Sequence, residues 1–129
     1  MTRKHQLADL QLAIMQVLWD RGEATVSEVR EALAPDRKLA HTTVGTMLAR
    51  MEEAGQVAHR ADGRANVYRA RLKQEQVNRT MVSDLSERLF GGDVTQFMCQ
   101  LLDGDSVGVD ELQRLKKLIR AKEKELRND

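Results

Sequence analysis

The chain has 129 residues, of which 41% are hydrophobic, 32% are charged and 3% are aromatic, and its formal net charge is +1. A chain of this length makes one domain or two small lobes and has no room for a large enzyme core. Its composition favours a mainly α-helical protein with thin aliphatic cores. No apolar run approaches the roughly 18–20 residues that span a membrane, no uninterrupted apolar segment follows Met1–His5 as in a secretory signal, and the single Cys99 fits a reducing cytoplasm.

The first two predicted helices are marked by apolar residues at helical spacing and by stop signals. The apolar stripe of the first helix, over about 9–20, consists of Leu7, Leu10, Ile14, Val17 and Leu18. Gly22 ends this helix. Thr25 and Glu28 have the spacing of a capping box, so they open a second helix over about 26–34, which Pro35 then stops.

The third predicted helix, over about 41–54, has two faces of different chemistry. Residues at positions i, i+3, i+4 and i+7 form its apolar face, which consists of Val44, Met47, Leu48 and Met51. The opposite side carries Thr42, Thr46 and Ala49, with Thr43 and Arg50 on its flank. Threonine can hydrogen-bond the edges of bases and contact a thymine methyl group, so this face is typical of a helix that reads the major groove.

A basic β-hairpin is predicted directly after this helix. Two β-prone runs, over 56–60 and 66–69, flank a turn at 61–64. Residues 56–72 hold four arginines against one aspartate, a net charge of +3, whereas residues 73–129 hold ten basic and eleven acidic residues, a net charge of −1. Positive charge confined to the hairpin indicates a phosphate-binding surface.

The helices and the hairpin together predict a winged helix-turn-helix lobe over residues 1–72 that binds double-stranded DNA. The predicted DNA contacts are His41, Thr42, Thr43, Thr46, Arg50, Arg60 and Arg64. His41, at the start of the third helix, is expected to be a cap or a phosphate neighbour. An ordinary solvated helix face with ordinary surface arginines is the alternative interpretation of the same residues.

Residues 73–129 are predicted to form three amphipathic helices that hold two copies of the chain together. The first covers about 74–90, the second follows a cap at Asp93 and ends before Gly104, and the last covers about 109–127. So short a segment does not make a deep core by itself, so the apolar faces of its helices need a partner. The simplest partner is the same segment of a second copy of the chain. The predicted homodimer contacts are Val77, Met81, Leu85, Leu89, Phe97, Leu101, Leu112, Leu115 and Ile119.

Neither a metal site nor a catalytic site is predicted. The candidate ligands are His5, His41, His59 and Cys99, which have none of the CxxC or HxxxH spacings that prepare a metal site. The sequence also has no Gly-rich phosphate loop and no GxSxG or HExxH motif. We therefore expect no cofactor and no enzymatic activity, with Cys99 packing as a small hydrophobic residue.

With these residues placed, the chain resembles the penicillinase-repressor family, the BlaI/MecI/CopY type of bacterial transcriptional regulators. The matching segments are 14–19, 25–28, Thr42-Thr43-Val44 with Thr46 and Leu48, 50–52 before Gly55, 63–65, 88–92 and 110–112. The resemblance covers nearly the full chain. It implies a homodimer that binds a two-fold symmetric operator, with the helix at 41–54 in the major groove, and that represses by blocking transcription.

Two inducing mechanisms of that family do not carry over cleanly to this chain. The copper-responsive branch has paired cysteines near its C-terminus, and this chain ends in Glu125–Asp129 without them. The β-lactam branch is relieved by proteolysis in the dimerisation region, typically at an Asn-Phe bond, with a membrane sensor metalloprotease as the expected partner. This chain has Gln96-Phe97 in the corresponding helix.

Two other functions compete with this interpretation. The near-neutral net charge favours a winged-helix adaptor that binds a protein through its C-terminal helices, whereas the +3 hairpin and the threonine face favour DNA. A metal-responsive repressor is the second alternative.

Overall fold

The computed structural model describes residues 8–128, which form six helices and three strands. Leu7 and His5 lie outside the described residues. The elements in chain order are α1 (Asp9–Arg21), β1 (Ala24–Thr25), α2 (Val26–Leu33), α3 (His41–Glu53), β2 (Val57–Asp62), β3 (Ala65–Ala70), α4 (Gln74–Phe90), α5 (Val94–Leu102) and α6 (Val109–Arg127). The predicted fold class is confirmed, since a mainly helical chain carries a hairpin directly after its third helix.

The sheet has three strands rather than the two that the sequence predicts. Its order is β1-β3-β2, and both neighbouring pairs are antiparallel. β1 contributes only Ala24 and Thr25, which face Tyr68 and Val67 of β3. So short a strand has no alternation of apolar and polar residues to reveal it, and it exists because β3 offers a free edge.

The hairpin turn is a two-residue loop between Asp62 and Ala65, which are paired in the ladder. Gly63 occupies the first position of the loop with φ +64°. Tight hairpin loops need a positive φ there, and glycine adopts it without a steric penalty. Gly63 therefore closes the wing, defined here as β2, β3 and the turn between them.

The core of the N-terminal lobe lies between α1, α2, α3 and the sheet, and the start of α4 completes it. Its fully buried large side chains are Ile14, Met15, Leu18, Val29, Val44, Leu48, Met51, Val57 and Val77. Trp19 of α1 adds a specific contact, because its indole Nε1–H donates to the backbone carbonyl of Leu72 at 2.9 Å. This bond holds the chain just before α4 begins.

The division into two compact units falls within α4, after Asp84, whereas the sequence predicts a boundary between 72 and 73. The first half of α4 belongs to the N-terminal unit because Val77 is fully buried in its core and Met81 packs against that core. Val77 is therefore not available to a second chain, and its predicted role as a homodimer contact is wrong.

The C-terminal unit holds the end of α4 with α5 and α6. Asp93 caps α5, since its carboxylate accepts a hydrogen bond from the backbone N–H of Gln96 at 3.1 Å. The rings of Phe90 and Phe97 stack with centroids 5.2 Å apart across the turn between α4 and α5. No side chain of α5 or α6 is buried. Along residues 8–128, no helix is both long and apolar enough to cross a membrane.

Replacing Gly45 in α3 with alanine is expected to stabilise the fold by up to about 1 kcal/mol, because glycine is the poorer helix former. A Cβ at this position meets Val26 Cγ1 of α2 at 3.9 Å, an ordinary van der Waals distance. Urea unfolding of the full chain measures the change. A loss of stability contradicts the prediction and means that α2 and α3 can approach this closely only because residue 45 has no methyl group.

Candidate nucleic-acid interface

Hydrogen bonds in α2 and after it hold the chain that leads into α3. Thr25 and Glu28 form the predicted capping box: the Thr25 hydroxyl accepts from the Glu28 N–H, and the Glu28 carboxylate accepts from the Thr25 N–H at 2.8 Å. The hydrogen bond from the Thr25 backbone lowers the pKa of Glu28. Arg30 then donates its Nε–H to the carbonyl of Leu39 at 2.9 Å. The start of α3 is thereby tied back to α2.

The structure separates the two faces of α3 as the spacing predicts. Val44, Leu48 and Met51 are fully buried, and Met47 packs partly buried against the same core. Four predicted DNA contacts are exposed and lie together around a shallow depression of about 270 Å³, lined by Thr42, Thr43, Thr46, Met47 and Arg50. The exposed side of α3 is therefore a surface of hydroxyl and methyl groups with one guanidinium at its end.

The N-terminus of α3 differs from that of α2 in having no side-chain cap. Ala40 stands at the N-cap, and no acidic residue lies in the first turn. The first N–H groups of the helix and its positive dipole end are therefore open to an external anion such as a phosphate. His41 is exposed at the first helical position.

Arginines of the wing fall into two groups. Arg64 is exposed in the turn, Arg69 is exposed on β3, and between residues 8 and 128 neither takes part in an ion pair. Arg60 on β2 is held by carboxylates instead: its Nη2 lies 2.7 Å and its Nε 3.4 Å from the Glu23 oxygens, and its Nη1 lies 4.0 Å from Asp62. The hydrogen bond to Glu23 raises the pKa of Arg60.

Two carboxylates near the wing make contacts that the sequence does not predict. Glu23 directly precedes β1, and it approaches Arg60 only because β1 joins the sheet. Glu52, in the last turn of α3, lies 2.7 Å from His59 Nδ1 and accepts the His59 backbone N–H at 3.2 Å. Neither pair has a local sequence signal, since the partners are 37 and seven residues apart.

Metal-ligating side chains are scattered. Between residues 8 and 128, no group of three or more His, Cys, Asp or Glu side chains is arranged to hold a metal ion. Cys99 is exposed on α5, so the predicted packing of its thiol as a small hydrophobic residue is wrong for the single chain.

A helix with a buried apolar stripe and an exposed threonine face, followed by a basic hairpin, defines a winged helix-turn-helix DNA-binding protein. Solved structures agree with this class. The solution structure of the DNA-binding domain of the repressor BlaI matches with a TM-score of 0.50 and 28% identity, covering 57% of this chain and 90% of that domain. A MarR family protein from Bacillus stearothermophilus has the same fold, with a TM-score of 0.50, 22% identity and coverage of 93% of this chain and 75% of that one.

The family is shown by the sequence comparisons. The family model described as penicillinase repressor matches residues 7–121. The transcriptional regulator BlaI of Mycobacterium tuberculosis (strain H37Rv) is 34% identical over 121 residues, which cover 92% of this chain and 86% of that protein. The penicillinase repressor of Bacillus licheniformis is 23% identical over 114 residues, covering 88% and 89%. The chain belongs to the penicillinase repressor family and is a DNA-binding transcriptional repressor, which confirms the resemblance; that family is one of regulators rather than enzymes.

Exchanging Thr46 for alanine is expected to lower the affinity for a specific duplex by about 1–2 kcal/mol, because a hydroxyl and a methyl group at the base edge are lost. Thr46 is exposed in the middle of α3, so the melting temperature and the affinity for a random duplex should not change. Fluorescence anisotropy measures the specific affinity with a duplex selected by the parent chain and the non-specific affinity with a scrambled duplex.

The control is Val44→Ala on the opposite, fully buried face. It should destabilise the fold by about 1–3 kcal/mol through lost burial and a small cavity. If Thr46→Ala unfolds the chain, or leaves the discrimination between the two duplexes intact, then α3 does not read DNA through this face.

Proposed function

We propose that this repressor acts as a homodimer on a two-fold symmetric operator, with α3 in the major groove of each half-site and the wing beside the sugar-phosphate backbone. The observation that carries the proposal is the exposed Thr42, Thr43, Thr46 and Arg50 surface on a helix whose other face is buried. Small side chains allow a close approach to the base edges. Arg50 supplies a fork of donors that matches guanine.

Phosphate contacts are assigned to the open N-terminus of α3 and to the tip of the wing. His41 and the first N–H groups of α3 form one contact. Arg64 forms the other, since it is exposed beside Gly63 and has no ion-pair partner along residues 8–128. These contacts position the protein on the duplex without reading its sequence.

The proposed dimer contact is the exposed apolar surface of the C-terminal unit. Leu89 is 65% exposed, Leu101 51% and Ile119 57%, although burying such a side chain is worth about 1.5–3 kcal/mol. The remaining candidate contacts of this unit are Leu85, Phe97, Leu112 and Leu115. Met81, also predicted as a contact, lies outside this unit and is partly buried against the N-terminal core. A second copy of the same unit covers this surface and places two DNA-binding lobes on the two half-sites of an operator.

The place of action and the induction belong to the same proposal. A DNA-binding repressor works where the chromosome is, so we place it in the cytoplasm. Relief of repression by a membrane sensor metalloprotease that cuts the dimerisation region stays a prediction of the family resemblance. Membership of a repressor family favours DNA over the adaptor alternative. The metal-responsive alternative has no cluster of ligands within residues 8–128 to support it.

Removing the charge of Arg64 with Arg64→Ala is expected to weaken binding to every duplex alike and to lower the slope of log affinity against log salt by about one unit, as for a single phosphate contact. Anisotropy titrations at several salt concentrations give the slope. Lys117→Ala removes the same charge from an exposed position on α6 and should leave the slope unchanged. An unchanged slope for the Arg64 variant, or a loss confined to one sequence, removes Arg64 from the phosphate contacts.

Placing a charge on the apolar stripe of α6 with Ile119→Glu is expected to dissociate the dimer, because a carboxylate is costly to bury at an interface. Ala121→Glu is a matched control: it adds the same charge at an exposed position about 160° away around the helix. Analytical ultracentrifugation at micromolar concentration compares the two variants with the parent chain. A monomeric parent chain, or equal dimerisation of both variants, refutes the proposed interface.

A further inference from the structure

Two consecutive residues of β2 are each held by a carboxylate from a different part of the N-terminal lobe. His59 bonds to Glu52 in the last turn of α3, and Arg60 bonds to Glu23 in the connection between α1 and β1. Neighbouring residues of a strand point to opposite faces of the sheet. The wing strand is therefore held from both faces, and we call the Glu52–His59 and Glu23–Arg60 pairs the wing anchors.

The first anchor joins the wing directly to the DNA-reading helix. Glu52 accepts the His59 backbone N–H at 3.2 Å, and both of its carboxylate oxygens lie 2.7 Å from His59 Nδ1. The His59 ring also packs against Tyr68 of β3, with centroids 5.3 Å apart. Tyr68 is only 6% exposed and belongs to the core. The base of the wing is thus connected to the end of α3 through polar and aromatic contacts.

The second anchor crosses the sheet. Arg60 faces Val67 in the β2–β3 ladder, and Val67 in turn faces Thr25 of β1. Glu23 stands just before β1, so its contact with Arg60 joins the two outer strands over the central one. Both oxygens of Glu23 take part, through Arg60 Nη2 and Nε. A paired geometry of this kind restricts the guanidinium more than a single contact does.

We propose that Glu52 and Glu23 are positioning residues that fix the wing relative to α3. The role of Arg60 is then to pair with Glu23 rather than to bind a phosphate. The proposal rests on the proposed function, because it concerns how two DNA-contacting parts reach one duplex together. A wing that is already oriented loses less conformational freedom on binding DNA. The entropic cost of contacting one duplex with α3 and Arg64 at the same time is therefore smaller. Arg60 then differs in role from Arg64, although both are wing arginines.

Glu52 has a matched neighbour that isolates its effect. Glu53 carries the same charge one position later in α3, and it is exposed. Glu52→Ala and Glu53→Ala therefore relieve the same repulsion from DNA, but only the first breaks an anchor. We expect the Glu52 variant to bind a duplex selected by the parent chain about two- to fivefold more weakly per half-site than the Glu53 variant, as for the loss of about one net hydrogen bond. The salt slopes of the two variants should agree. Equal affinities refute an anchor at Glu52.

A charge reversal tests Arg60. Arg60→Glu alone should weaken binding to the selected duplex, whereas Glu23→Arg combined with Arg60→Glu should restore it to within about twofold, because the ion pair re-forms with its charges exchanged. Thermal melting of each variant confirms folding. If the double variant stays as weak as Arg60→Glu, with a salt slope about one unit below that of the parent chain, Arg60 is a phosphate ligand and the proposal fails.

A third outcome separates positioning from competition. If Glu23→Gln strengthens binding to the selected and the scrambled duplex alike, Glu23 competes with phosphate for Arg60, and the proposal is again overturned. The proposed function is judged independently by the parent chain: a parent chain that does not discriminate between the two duplexes refutes operator binding itself. Discrimination by the parent chain without rescue by the charge reversal refutes only the anchors.

Discussion

Burial of the apolar stripe of α3 is the constraint on which the proposed DNA-binding surface depends. Val44, Leu48 and Met51 are fully enclosed by the N-terminal core, together with side chains of α1, α2 and the sheet. Because a helix is rigid and turns by about 100° per residue, enclosing one stripe directs the opposite one to solvent. Thr42 and Thr46 are exposed for this reason, so α3 stabilises the core with one set of side chains and leaves another set free for the proposed recognition of DNA.

The same core couples the helix to the wing. Val57 of β2 and Tyr68 of β3 belong to the cluster that encloses α3, so the hairpin leaves the core in a defined direction. The positive charge of the hairpin is therefore concentrated in one place, which explains how a chain with a net charge of only +1 is compatible with binding a polyanion such as DNA. In the proposed DNA complex, the position of the arginines therefore matters more than their number.

The C-terminal unit has the opposite character, because it exposes the residues that a core normally hides. No side chain of α5 or α6 is buried, while Leu118 is 66% and Leu126 62% exposed. Capping at Asp93 and the stack of Phe90 on Phe97 order the turn between α4 and α5, but they bury little surface. The unit is therefore organised locally and left apolar outside, and this exposed apolar surface is the feature on which the proposed homodimer rests.

The sequence by itself determined the features that depend on local spacing: the helices, the turn at Gly63, the cap at Thr25 and the outward threonine face of α3. Tertiary structure alone decided the features that depend on distant partners. β1 exists only against β3, Glu23 meets Arg60 only through that pairing, and α4 contributes its first half to the N-terminal core. The physical reason is that the spacing of apolar residues along the sequence shows which face of an element is apolar. Which other element packs against that face depends on the packing of the whole lobe.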